Sequence, residues 1–253
     1  MSATATGSRS PERHMTFLEH AEELRRRLIV SVIAALVAAG VCYGFYESLL
    51  NLLLAPLAAI QERLGEQQLY ATSLFEGFLV RMKVALLAGV VASLPVHAYN
   101  GIRFVFPALQ RKERRVIAAA LWASMVLVCA GFLYGYHQVL PLSVDFLTGS
   151  GFIPERVGIL LSYDRNVFFL LQILLMFALV FQMPVVLLLL LRGGVVTRRA
   201  LLRASRFAIV GIFGMAALVT PPDVVSQIGL AVPMVAMFFL TILIARILRL
   251  GGG

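Results

Sequence analysis

Two carboxylates stand among arginines at separate points of the chain, and that pairing of residue types suits the capture of further guanidinium groups. Glu23 lies in His20-Ala21-Glu22-Glu23-Leu24-Arg25-Arg26-Arg27, and Glu113 is the lone acid in the stretch from Arg103 to Arg115, which holds five cations. A carboxylate accepts two parallel N–H bonds from a guanidinium, so two carboxylates on one face would hold two arginines of a bound peptide. The alternative is local: Glu23 pairs with Arg27 four residues on, and Glu113 only tempers repulsion among its neighbours.

Other chemistry finds little support. His14, His20, His97 and His137 are scattered, with no second His at four-residue spacing and no flanking Cys, so no metal site and no cofactor is expected. Neither a glycine-rich phosphate loop nor a Gly-x-Ser-x-Gly elbow occurs, and Ser93, Ser124 and Ser205 show no partner in sequence. An enzyme is not expected. Gln182, two residues before Pro184, is the most polar feature of an otherwise apolar run; a Gln there serves as interhelical glue or lines a peptide-binding cavity. Arg81 and Lys83 either snorkel to the membrane surface or face the bundle interior, with snorkelling the reading favoured for Arg81.

The elements that must carry these residues follow from composition. At 253 residues, 60% hydrophobic and 14% charged, with mean hydropathy +0.90, the chain is too apolar for a soluble domain. Long continuous apolar runs predict an all-α, polytopic membrane protein in contact with the lipid bilayer, because a helix satisfies its own backbone in lipid. Cys42 and Cys129 sit inside apolar runs and read as small hydrophobes. The N-terminus lacks the apolar core of a cleavable signal, so the first span is expected to remain.

Residues 1–14 read as a disordered tail, 15–246 as one membrane domain and 247–253 as a C-terminal tail. A polar helix from Thr16 to Arg27 is expected to lie along the interface and lead into a first span, Leu28 to Phe45. The others are expected at Phe75–Val96, Val116–Tyr136, Val167–Leu191, Phe207–Val219 and Ile228–Ala245, with Pro95, Pro184 and Pro233 as kinks. The fifth and sixth are short. Thirteen apolar residues in the fifth make about 20 Å of helix against a core of about 30 Å, so it must thin the bilayer or stand behind other helices. The segments Glu47–Ser73 and Gln138–Arg165 read as outside loops. Of the 22 Lys and Arg, 17 fall before the first span, in the second-to-third and fourth-to-fifth connections, or after the sixth span. This distribution predicts both termini in the cytoplasm and needs no nucleic acid to explain the charge of +9.

Several of these segments together resemble one family. His20-Ala21-Glu22-Glu23-Leu24-Arg25-Arg26-Arg27 is similar to the N-terminal signature of TatC, the multispanning core of the twin-arginine protein translocase. Lys83, Pro95 through Tyr99, Phe104, Phe106-Pro107-Ala108-Leu109 and Glu113-Arg114 resemble its second span and first cytoplasmic loop. Phe181-Gln182-Met183-Pro184 resembles its fourth-span element. Arg203, Arg206 and Thr220-Pro221-Pro222-Asp223-Val224-Val225-Ser226-Gln227 resemble its later signature, the last of these the most specific. The similarity runs from about Met15 to Arg246.

The resemblance implies a receptor for signal peptides bearing consecutive arginines, located in the prokaryotic cytoplasmic membrane and exporting folded proteins with the proton-motive force. It implies signal-peptide binding by Glu23, Glu113, Phe104 and Arg25, and a polar contact site at Gln182. Pro221, Pro222, Asp223 and Gln227 would shape an outside turn. TatA/TatB-type single-span subunits and other copies of the chain are the implied partners. The departures are specific: Gln182 and Phe239 stand where acids are usual, Asn100 replaces Gln and Ile102 replaces Trp. Two alternatives remain at this stage: a secondary transporter for a small solute, which would call for inverted repeats that the halves do not show, and a TatC-like paralogue that no longer transports.

Overall fold

A computed structural model describes residues 17–64, 69–105, 114–148, 160–219 and 224–251. They form helices α1 (Phe17–Gly44), α2 (Tyr46–Leu64), α3 (Glu76–Ala92), α4 (Leu94–Val105) and α5 (Arg114–Tyr134). A π-helical turn (Gly135–Val139) leads to α6 (Leu140–Thr148), followed by α7 (Tyr163–Val180), α8 (Met183–Arg192), α9 (Arg198–Val219) and α10 (Val224–Ile247). Among the described residues the only extended pairing is a single bridge between Tyr70 and Ser162. Five helical runs are long and apolar enough to cross a membrane, and the pair α3–α4, bent by 49°, supplies a sixth. The all-α, six-span expectation holds on that count.

The run from Phe17 to Gly44 is one unbroken helix of 28 residues, not an interfacial helix followed by a span. At 1.5 Å per residue it extends about 42 Å, so its polar first turns project beyond a hydrocarbon core of about 30 Å. The second span is two helices that meet at Ser93. Pro95 sits in the first turn of α4, where its missing N–H is harmless and the helix before it must end. The fourth span breaks similarly at Phe181–Gln182, with Pro184 opening α8.

Both segments expected as outside loops are partly helical, the first of them over the run 49–60 that reads as amphipathic in sequence. Glu47 to Leu64 belongs to α2, and the third span runs on through the π turn to Thr148. In that turn the N–H of Leu140 bonds the carbonyl of Gly135, one residue further back than in an α-helix. The widened turn lies just before Pro141, so the residue without an N–H falls where the regular ladder is already interrupted.

The core centres on α7, whose Val167, Leu170, Ile173, Leu174 and Phe177 are buried against α3, α5 and α10. α1 and α3 approach most closely at Gly89, where a Cβ would lie 2.5 Å from the backbone nitrogen of Ala39. Small residues at such crossings let transmembrane backbones touch and gain dispersion contacts that lipid cannot supply.

The expected short fifth and sixth spans are corrected at the level of the helices: α9 has 22 residues and α10 has 24. α9 begins inside the basic connection, because Arg198, Arg199 and Arg203 are good helix formers that carry the ladder beyond the apolar run. Nor is α9 shielded by its neighbours. It packs mainly on α10, and Phe207, Val210 and Leu218 are 67%, 71% and 88% exposed. The C-terminal tail folds back in part: Leu250 donates to the Ala245 carbonyl at 2.8 Å, and Arg198 donates to the Gly251 carbonyl at 3.1 Å.

Candidate functional site

At one end of the bundle, the first turns of α1 present Glu23. Arg27 reaches back one turn to bond its Oε1, through Nε at 3.1 Å and through a closer terminal nitrogen. Both side chains are largely withdrawn from solvent, at 20% and 15% exposure. Glu23 Oε2 is buried and makes no hydrogen bond among the described residues. Arg25, by contrast, is 75% exposed and sits 4.0 Å from Glu22, so Glu22 pairs at three-residue rather than four-residue spacing.

α4 brings Phe104 to the same end. Asn100 donates to the Ser31 hydroxyl at 3.0 Å, which fixes α4 against α1. From that contact the helix rise carries Glu23 about 12 Å and Phe104 about 6 Å in the same direction. Phe104 is half-buried, and Arg103 donates to Tyr99 Oη at 3.1 Å while stacking on its ring. Glu113 lies outside the described residues, as do Pro221, Pro222 and Asp223; Gln227 is half-buried in the first turn of α10. The structure therefore groups Glu23, Arg25 and Phe104 at one end.

Midway through the bundle, Gln182 occupies the break between α7 and α8. Ser124, fully buried on α5, donates to Gln182 Oε1 at 2.5 Å, and Gln182 Nε2 donates to the Ser124 carbonyl at 3.2 Å. Ser124 thus has a partner that sequence spacing could not reveal, 58 residues away. Gln182 thus joins the α7–α8 break to α5 as interhelical glue, and with His97 it also lines a cavity of about 310 Å³ between α4 and α8. Ser93 also has a partner, since its hydroxyl donates to the Val90 carbonyl at 3.0 Å and lies 3.0 Å from His97 Nε2. No interaction with an acid orients His97 among the described residues, so this pair supports the bend rather than a nucleophile. Phe239 is 42% exposed on α10 and lies edge-on to Phe238.

Gln182→Leu should cost about 1–3 kcal/mol, the desolvation of a buried hydroxyl left without its acceptor. Thermal unfolding in detergent measures this, and Ser124→Ala combined with Gln182→Leu should recover part of the loss.

The opposite end is knitted by groups that sequence reasoning left apart. Glu76, only 4% exposed, accepts at Oε2 from the backbone and hydroxyl of Thr72 and from the Ser73 backbone at 3.2 Å. Its Oε1 accepts from the Asp164 backbone at 2.7 Å. Lys83 faces inward and pairs with Asp164, 2.6 and 2.9 Å from the two carboxylate oxygens. Arg81 does not snorkel freely; its guanidinium lies 4.3 Å from the Tyr43 ring centre and 5.1 Å from that of Tyr46. A mid-span lysine needs an anion, and that imbalance was the one available signal for Asp164. Among the described residues, no cluster of His, Cys, Asp and Glu is suited to a metal.

Comparison with known proteins fits this architecture. Residues 19–233 match the family described as Sec-independent protein translocase protein (TatC). A Desulforapulum autotrophicum relative called Sec-independent protein translocase protein TatC is 38% identical over 237 residues, covering 93% of this chain and 86% of the relative. The Aquifex aeolicus protein of the same name is 33% identical, covering 92% and 95%. The crystal structure of a twin-arginine translocase receptor, TatC, in the detergent DDM superposes with a TM-score of 0.79 at 34% identity, covering 89% of this chain and 99% of that one. The helical bundle with its broken second and fourth spans and the match along nearly the whole length lead to one conclusion: the chain belongs to the TatC family of Sec-independent protein translocases, multi-pass proteins of the cytoplasmic membrane that serve transport rather than catalysis.

Proposed function

We propose that this protein is the receptor subunit that binds twin-arginine signal peptides at the end of the bundle where α1 begins and α4 ends. In this reading that end faces the cytoplasm, and Glu23 and Glu113 each take one guanidinium of the arginine pair. Phe104 packs beside the peptide, and Arg25 orders the acidic face or contacts the peptide backbone. TatA/TatB-type single-span subunits and further copies of the chain assemble around it, and the proton-motive force drives export of the folded cargo.

The observation that carries the reading is the state of Glu23. Arg27 occupies one carboxylate oxygen, while the other is buried with no donor among the described residues. A buried carboxylate oxygen without a partner is costly, and an incoming guanidinium would supply the missing donor in the planar geometry a carboxylate favours. A lysine offers no such fork.

Binding of a fluorescent twin-arginine peptide to the purified chain tests this. Glu113→Ala and Glu23→Ala should each weaken binding by about 10–150-fold, the value of a hydrogen bond to a charged group. A Lys-Lys peptide should bind as poorly to the unaltered chain. Equal affinity for the two peptides would reject the assignment. Crosslinks from positions 23, 104 and 113 should converge on the peptide's arginine region.

A further inference from the structure

A second cavity opens between α5 and α8 near the end that carries Glu23 and Phe104. Its volume is about 360 Å³, and two arginines line it: Arg115 from the first turn of α5 and Arg192 from the last turn of α8. Below them the walls are apolar, formed by Ala119 and Ala123 on α5 and Leu189 on α8. From Arg115 to Ala123 the helix descends about 12 Å.

The third wall comes from the chain that follows α10. Arg249 and Gly251 adopt positive φ angles of 55° and 61°, which turn the segment back on itself. The turn is held by the Leu250 to Ala245 and Arg198 to Gly251 backbone bonds, and it sets Leu248 and Leu250 against the cavity. The groove is therefore closed on three sides, cationic at its mouth and apolar below.

Among the described residues, no acid lines this cavity and Arg115 makes no ion pair. Both arginines stand where their helices leave the apolar run, at the level of lipid headgroups. An amphiphile with a phosphate at one end and a hydrocarbon tail at the other matches this polarity. Basic pockets between transmembrane helices on the cytoplasmic side favour anionic headgroups, because they add near-surface Coulomb attraction to tail burial.

We propose that this groove is a binding site for one anionic phospholipid, its phosphate between Arg115 and Arg192 and part of one acyl chain against Ala119, Ala123 and Leu189. The bound lipid cements the C-terminal turn to α5 and α8. The site lies beside the cavity at Gln182, sharing Val185 and Leu189 of α8 with it, and its occupancy does not depend on the assignment of Glu23.

Native mass spectrometry of the full chain, released from detergent containing equal phosphatidylglycerol and phosphatidylcholine of the same acyl chains, tests the proposal. The unaltered chain should retain one phosphatidylglycerol with about 30-fold preference, the discrimination two near-surface cations provide. Arg115→Gln with Arg192→Gln should bring the preference close to one. Arg199→Gln, an exposed cation outside the cavity, should leave it intact. Ala123→Trp should expel the lipid with both arginines in place, which separates groove filling from charge loss. Three results would overturn the site: equal retention of the two lipids by the unaltered chain, full preference in the double glutamine variant, or displacement of the lipid by inorganic phosphate alone. The last would mark an anion site with no part for the tail.

Discussion

Glu76→Ala should lower the unfolding temperature of the protein more than any other polar substitution named above, because one carboxylate gathers donors from two distant segments and its loss removes their common acceptor. Oε2 holds the chain entering α3 through Thr72 and Ser73, and Oε1 holds the amide that opens α7. Glutamine does not substitute. Its amide oxygen can serve one side, and its NH₂ then faces a donor on the other, so Glu76→Gln should lose part of the same stability. Aspartate is one methylene too short to span both sides. The loss should also be local in character. The Tyr70–Ser162 bridge rests on the same segments, with bonds from Tyr70 to Leu161 at 2.9 Å and from Tyr163 to Tyr70 at 3.0 Å. Hydrogen exchange at the Tyr70 and Tyr163 amides should accelerate in Glu76→Ala well before the centre of α7 opens. An unchanged unfolding temperature with unchanged exchange at those two amides would show that Glu76 is not the tie.

Gly89→Val should be nearly as damaging, for a steric reason. Even the first carbon of any side chain would lie 2.5 Å from Ala39 N and 2.6 Å from Ala39 Cα. Those are backbone atoms in the middle of α1, and no rotamer change relieves them. The two helices must separate, which removes contact along their whole interface, so a cost above the usual 1–3 kcal/mol of overpacking is expected. Ala39→Gly should rescue little, since only one of the three nearest atoms belongs to the Ala39 side chain. A disulfide or label pair placed across α1 and α3 reads out the separation directly; an unchanged distance and unfolding temperature in Gly89→Val would contradict this account.

The spans were legible because membrane insertion writes itself into composition: long apolar runs, prolines at Pro95 and Pro184, and arginines gathered in alternate connections. Glu23 stood out through local charge, whereas Phe104 entered only through the family resemblance. What escaped was pairing across distance. Ser124 with Gln182, Glu76 with the Asp164 amide, and Lys83 with Asp164 are separated by 58, 88 and 81 residues, and no local pattern encodes which polar group will meet which. The helices α2 and α6 were missed for a different reason. Pro141 suggested a break, and the amphipathic run around Pro56 was too short to read as a full helix, while helices tolerate proline where the ladder is already interrupted or a neighbour supports the bend. The span limits of α9 failed because hydropathy ends where polarity begins, whereas a helix of arginines continues as readily as one of leucines.

The two ties from α3 to the start of α7 also impose an order on biogenesis. Glu76 and Lys83 enter the membrane system 88 and 81 residues ahead of the groups that satisfy them. At ordinary synthesis rates that is a delay of roughly 4–18 s. During this interval Lys83 in the second span lacks the carboxylate it pairs with in the finished fold. The nascent α1–α3 pair can form early through Gly89 and Ala39, but the end that carries Glu76 stays unlatched until α7 arrives. Completion of the fold is thus timed by the fourth span, and a chain stalled before Asp164 should leave that end open to proteolysis.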